Sequence, residues 1–279
     1  MVFEQLFTAR WIKKKPLYSF LLGIGYSLLG VMTAIIIFPR QLIGVGAIAF
    51  TALILLPSLN QLLSIEENIE RQEKKFNLKI IFRDHIDLFE IFIFMFFGIF
   101  LVYSSLTLIF PEISVNYLFS AQSLMFDKKA CLPFINAGCN GGFDFSYFID
   151  ILSTNILVMF VCILLSVLYG AGSVLFLTWT ASLWGNLLAI MARESALIIG
   201  QNHIFYFLGL FARVFPHLFL EAASFFLAIV GGGVISKAIL REKNNNERFK
   251  RVIADSMIFF LLAILLLIIG AIIEVFIYR

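Results

Sequence analysis

Apolar residues fall in long unbroken runs along this chain, not in the alternating pattern of a half-buried strand. Runs centred on residues 16–38, 41–63, 87–110, 147–169, 172–192, 216–240 and 252–277 each reach about the 20 residues that a membrane-crossing helix needs. The pattern predicts an all-α fold, a polytopic transmembrane helical bundle with about seven crossings. A transmembrane barrel would instead show short segments alternating between apolar and polar positions.

Breaks between the runs are local. Pro39-Arg40 predicts a tight turn between the first two helices, and Tyr169-Gly170-Ala171-Gly172 a second between the fourth and fifth. An eighth stretch, residues 196–215, is less apolar and holds Gln201, Asn202, His203 and Arg213. We read it as a re-entrant or interfacial helix leading into Pro216, since polar backbone at that depth needs cover from protein or a wet cavity. Pro216 suits the first turn of the next helix, where its missing N–H costs nothing.

Charge then orients the bundle. With the N-terminus in the cytoplasm, inner segments hold 15 Lys and Arg residues and outer segments only 4, namely Arg40, Lys128, Lys129 and Arg193. The positive-inside rule therefore predicts an exterior C-terminus. The first apolar run is too long for the core of a cleavable signal peptide and is expected to be the first membrane helix. Two regions result: residues 1–86, a two-helix extension with a cytoplasmic hairpin, and residues 87–279, a membrane core with an exterior loop at 111–146.

Composition agrees with this picture. Of 279 residues, 61% are hydrophobic and 14% charged, with mean hydropathy +0.97. A soluble domain of this size has too little interior for so much apolar surface. A net charge of +3 gives no footprint for nucleic acid. The 33 phenylalanines are expected in the core and at the membrane interfaces. Cys131 and Cys139 fall in the exterior loop, which permits a disulfide but does not establish one. Cys162 sits in an apolar helix and is read as a buried thiol.

Ionisable groups within the runs are the candidates for chemistry, because they are expensive in a bilayer. His217 and Glu221 stand four residues apart and so share a helix face. One reading is a structural polar lock, with Arg213 near enough in sequence to pair with Glu221. The other is a direct role as a proton relay or substrate contact. A metal site is not indicated, since two ligands do not make one. Glu274, near the end of the last helix, is expected to face the bundle, and Asn155 to sit in the fourth helix. Gly170, Gly172, Gly185 and the run Gly231-Gly232-Gly233 are of the size that lets helices approach closely. Glu66-Glu67-Asn68-Ile69-Glu70-Arg71 resembles a motif of the CAAX-type intramembrane proteases. The later pieces of that pattern are missing, and the composition of a charge-rich hairpin accounts for the match. No nucleophile elbow, phosphate-binding loop or zinc signature is present, so neither catalysis nor a cofactor is expected.

Four pieces in order carry a wider resemblance: Asn155 at the head of an apolar helix; Leu168-Tyr169-Gly170-Ala171-Gly172 followed by a helix with Gly185; Pro216-His217-x-x-x-Glu221 followed by the glycine run; and Ile273-Glu274. Together they resemble the stage II sporulation protein M (SpoIIM) family over roughly residues 85–279, with the first two helices similar to an extension of archaeal-type members. Leu218 replaces the family's usual glycine after the histidine, and Thr180-Ala181 its usual Asn-Gly. The resemblance implies a multi-pass protein of the cytoplasmic membrane. It also implies a scaffold, because in sporulating bacteria the family member anchors a complex whose partners cut the cell wall. The expected partners are lipids and other membrane or exterior proteins, or further copies of the chain. The rival functions are a transporter with its polar site at His217 and Glu221, and, ranked last, a hydrolase using Glu66, Glu67 or His217.

Overall fold

The computed structural model describes residues 15–72, 78–123, 145–170, 174–241 and 247–277. Seven helices among these are long and apolar enough to cross a membrane. They are α1 (Leu17–Ile37), α2 (Ile43–Gln72), α3 (Leu78–Ile109), α6 (Phe145–Tyr169), α7 (Val174–Ile199), α8 (His203–Arg241) and α9 (Glu247–Ile277). Two short helices, α4 (Glu112–Leu118) and α5 (Ser120–Ser123), follow α3. No strand occurs among the described residues. The chain is therefore an all-α, multi-pass membrane protein, as its hydropathy predicts.

Local sequence sets the ends of the helices. Pro39 excludes Phe38 from helical backbone, and Phe38 is accordingly extended at φ −99° and ψ 148°. The chain then turns through a short 3-10 segment, Arg40–Leu42, into α2. At the end of α6, Gly170 takes φ +58°, which a residue with a side chain adopts only at a cost. Cys131, Cys139 and Gly172 lie outside the described residues. So do the side chains of Glu66 and Glu67, whose backbone belongs to the end of α2.

The segment at 196–215 differs from expectation. It is not a separate re-entrant helix. Residues 196–199 complete α7, and α8 runs unbroken from His203 through Pro216 to Arg241. The break falls at Gly200, whose φ is +72°. Gln201 N–H donates to Ala196 O at 3.0 Å, closing a Schellman turn. Asn202 then caps α8, its Oδ1 accepting from Ile204 N–H at 2.9 Å. Gly-Gln-Asn is a readable stop-and-start signal that the proline overshadowed. A proline in a helix interior removes one ladder bond, and in a membrane bundle neighbouring elements can make good that loss.

Helix α8 is the axis of the bundle. It packs most extensively on α9, then on α6 and α7, and also touches α3 and α2. Helix α3 holds the other half together through α7 and α1. Phenylalanines form the seam between α3 and α8. Phe97 and Phe100 meet Phe211 with ring centroids 6.5 and 5.3 Å apart, and Phe226 stacks on Phe92 at 5.8 Å. Many of the abundant Phe side chains are thus core, with geometry that adds to burial.

Small residues bring the backbones close. A Cβ on Gly23 of α1 would stand 2.5 Å from Met95 O of α3, and Gly98 of α3 presses on the backbone at Phe20. Gly185 does the same between α7 and α3, 2.7 Å from Phe100 O. Gly232 faces Ser166 of α6, and Gly231 faces Phe260 of α9. Gly25, two residues from Gly23 and so on another face of α1, meets nothing within 4 Å.

Gly98→Leu is therefore expected to separate α1 from α3 and destabilise the bundle by about 1–3 kcal/mol, the usual cost of overpacking. Gly25→Ala should be neutral or slightly stabilising. Unfolding in mixed micelles measures both, and equal behaviour of the two variants contradicts the assigned α1–α3 contact.

Candidate functional site

His217 and Glu221 lie well inside α8, not at its start. Glu221 is 18 residues from His203, or about 27 Å at the rise of an α-helix. Both are buried, His217 at 0% and Glu221 at 2% exposure. The continuous α8 thus moves the pair from the expected helix end to the middle of a span.

Three helices converge on Glu221. Asn155 Nδ2 of α6 donates to Glu221 Oε1 at 2.6 Å. Glu274 of α9 hydrogen-bonds the same carboxyl group. Gly270, one turn before Glu274, lies in ordinary contact with this part of α8. A Cβ there would sit 3.7 Å from Glu221 Cγ and 3.8 Å from His217 O. The i, i+4 spacing of Gly270 and Glu274 thus faces the i, i+4 spacing of His217 and Glu221.

The histidine points to another helix. Its ring meets Trp184 of α7 edge to face, with centroids 5.8 Å apart. Leu218, next to His217, is buried in the core. The four polar positions anticipated from sequence therefore divide: Asn155, Glu221 and Glu274 share hydrogen bonds, while His217 packs one turn above them.

Arg213 is not brought to Glu221. It is exposed on α8 two turns upstream, about 12 Å along the axis, and Glu221's carboxyl group is held by Asn155 and Glu274. Among the described residues no three His, Cys, Asp or Glu side chains group as a metal site.

Other polar contacts had no sequence signature. Thr107 of α3 hydrogen-bonds Asn186 of α7 at 2.7 Å. Ser166 of α6 donates to Ile229 O of α8 at 2.5 Å, beside Gly232. Arg193 Nη1 of α7 donates to Thr107 O and Phe110 O, both at 2.8 Å, and so closes the C-terminal end of α3. Single Ser and Thr residues are common in such helices, and Arg193 stands near the end of its helix. Only a spacing between two runs distant in sequence would have singled these out.

Glu221→Ala is expected to cost about 1–3 kcal/mol, because it removes the shared partner of Asn155 and Glu274, both half-buried between helices. Glu221→Gln, which keeps the shape and can still donate and accept, should cost less. Arg213→Ala, at an exposed position two turns away, should cost less than Glu221→Ala. Unfolding in lipid bicelles ranks the three, and an Arg213→Ala loss equal to that of Glu221→Ala contradicts the assignment of partners.

No curated protein and no solved structure matches the chain. The family model described as Stage II sporulation protein M matches residues 88–278, from the buried half of α3 to the end of α9. That stretch contains Asn155, Glu221 and Glu274 and is well over half of the sequence, so the chain belongs to the stage II sporulation protein M (SpoIIM) family.

Proposed function

We propose that this membrane protein is a non-catalytic scaffold, a subunit that holds other proteins at the cytoplasmic membrane. The observation that carries the reading is the closure of the polar cluster. Asn155 of α6 and Glu274 of α9 each bond Glu221 of α8, which is the arrangement of a structural lock. A transport or catalytic site needs polar groups offered to a ligand. Two cavities open instead at one end of the bundle, one where α3 ends and α7 turns into α8, the other between the turn at residues 40–43, the end of α3 and α4. Support comes also from what the family resemblance implies, an anchor whose partners do the chemistry.

Helix α6 offers the broadest contact surface. Only 17% of its apolar window is buried within the chain, and Leu157, Phe160 and Leu164 face outward. Partner helices, or a second copy, would use such a face. The charge distribution supports a cytoplasmic N-terminus and an exterior C-terminus.

Crosslinking in native membranes, then purification in mild detergent and mass spectrometry, tests the proposal. A stoichiometric partner crosslinked through α6 is expected. Phe160→Trp together with Leu164→Trp should reduce its recovery several-fold while leaving the protein folded. Recovery of a monomer alone, with substrate flux in proteoliposomes that Glu221→Gln abolishes, would overturn the scaffold in favour of transport.

A further inference from the structure

A cavity of about 310 Å³ opens where α3 ends and α7 turns into α8. Its lining includes Phe110, Pro111, Arg193, Leu197, Gln201 and His203. We infer that this cavity binds the phosphate headgroup of an anionic phospholipid, with the acyl chains lying on the apolar rim.

Two features select the headgroup. The first is a fixed cation. Arg193 is held by two bonds from a single nitrogen, Nη1, to Thr107 O and Phe110 O. A guanidinium has further N–H donors on Nη2 and Nε, and its planar fork suits phosphate oxygens. Held this way, the group loses little side-chain freedom on meeting a ligand. The second is sign. His203 opens α8, so the positive end of that helix faces the same space. No acidic side chain is among the lining residues described.

The rim selects a lipid over a free anion. Ile109 is 74% exposed, Leu197 82% and Phe205 75%. Ile109 and Leu197 line the cavity on α3 and α7, and Phe205 follows the lining His203 by two residues on α8, within a bundle whose long helices are built for lipid. A soluble phosphate would gain nothing from them, whereas the acyl chains of a lipid cover this apolar rim while the headgroup occupies the cavity. The site also has a structural consequence. A bound headgroup would tie the α3 terminus to the α7–α8 turn, next to the bond by which Arg193 already closes α3.

The test uses the full-length protein, delipidated in detergent and offered one probe at a time: dioleoylphosphatidylglycerol, dioleoylphosphatidylcholine, or inorganic phosphate. Native mass spectrometry counts retained lipid, and thermal unfolding reports stabilisation. Phosphatidylglycerol is expected to be retained and to raise Tm, with phosphatidylcholine and phosphate both ineffective. Arg193→Gln should abolish the effect, but it also removes the closure of α3. Gln201→Glu is therefore the cleaner variant. It places a carboxylate at an exposed lining position and should weaken phosphatidylglycerol retention roughly five- to tenfold, the effect of about one unit charge near a lipid surface. Equal retention of the two lipids, stabilisation by phosphate alone, or a Gln201→Glu protein that binds like wild type would each overturn the inference.

Discussion

A bilayer gives buried polar groups no water, and the bundle is organised by that constraint. Glu221 is the most demanding group in it, a carboxylic acid at mid-span with 2% exposure. Its requirements are met from two other helices, by Asn155 on α6 and Glu274 on α9. The contact fixes rotation and depth together. Asn155 must face α8, Glu274 must come within reach of Glu221, and Gly270 lies at contact range of the same stretch of α8. Helices α6 and α9 are the two least buried of the long helices, so a directional bond has most to contribute there.

The other half of the bundle relies on close packing. Gly23, Gly98 and Gly185 bring α1 and α7 onto α3 at backbone distance, where dispersion and weak Cα–H contacts replace the hydrophobic effect that lipid does not provide between helices. Phenylalanines then join α3 to α8. Helix α8 thus receives an aromatic seam on one side and the carboxyl lock on another. That accounts for its burial and for its tolerance of Pro216.

Much of this was legible in the sequence because bilayer physics leaves few options. Run length gave the spans, and the cost of a buried carboxyl group singled out Glu221 and Glu274. What misled was a rule with two outcomes. Pro216 suits a helix start equally in water and in lipid, yet here it lies inside a helix, and the start signal was the quieter Asn202 after Gly200. Arg213 seemed close to Glu221 in sequence, but eight residues on one helix is two turns of separation. The Thr107–Asn186 bond and the capping of α3 by Arg193 join distant runs and leave no local trace. The residues Cys131 and Cys139, with the rest of 124–144, lie outside the described structure.

The account rests on Glu221 and Glu274 acting as one unit across α8 and α9. A double-mutant cycle with Glu221→Ala and Glu274→Ala, unfolded reversibly in bicelles, measures that directly. We expect a coupling energy of about 0.6–1.7 kcal/mol, the range found for hydrogen bonds between membrane helices. Additive losses, with coupling near zero, would mean that the two carboxyl groups do not hold the helices together and that the lock is not what positions α9.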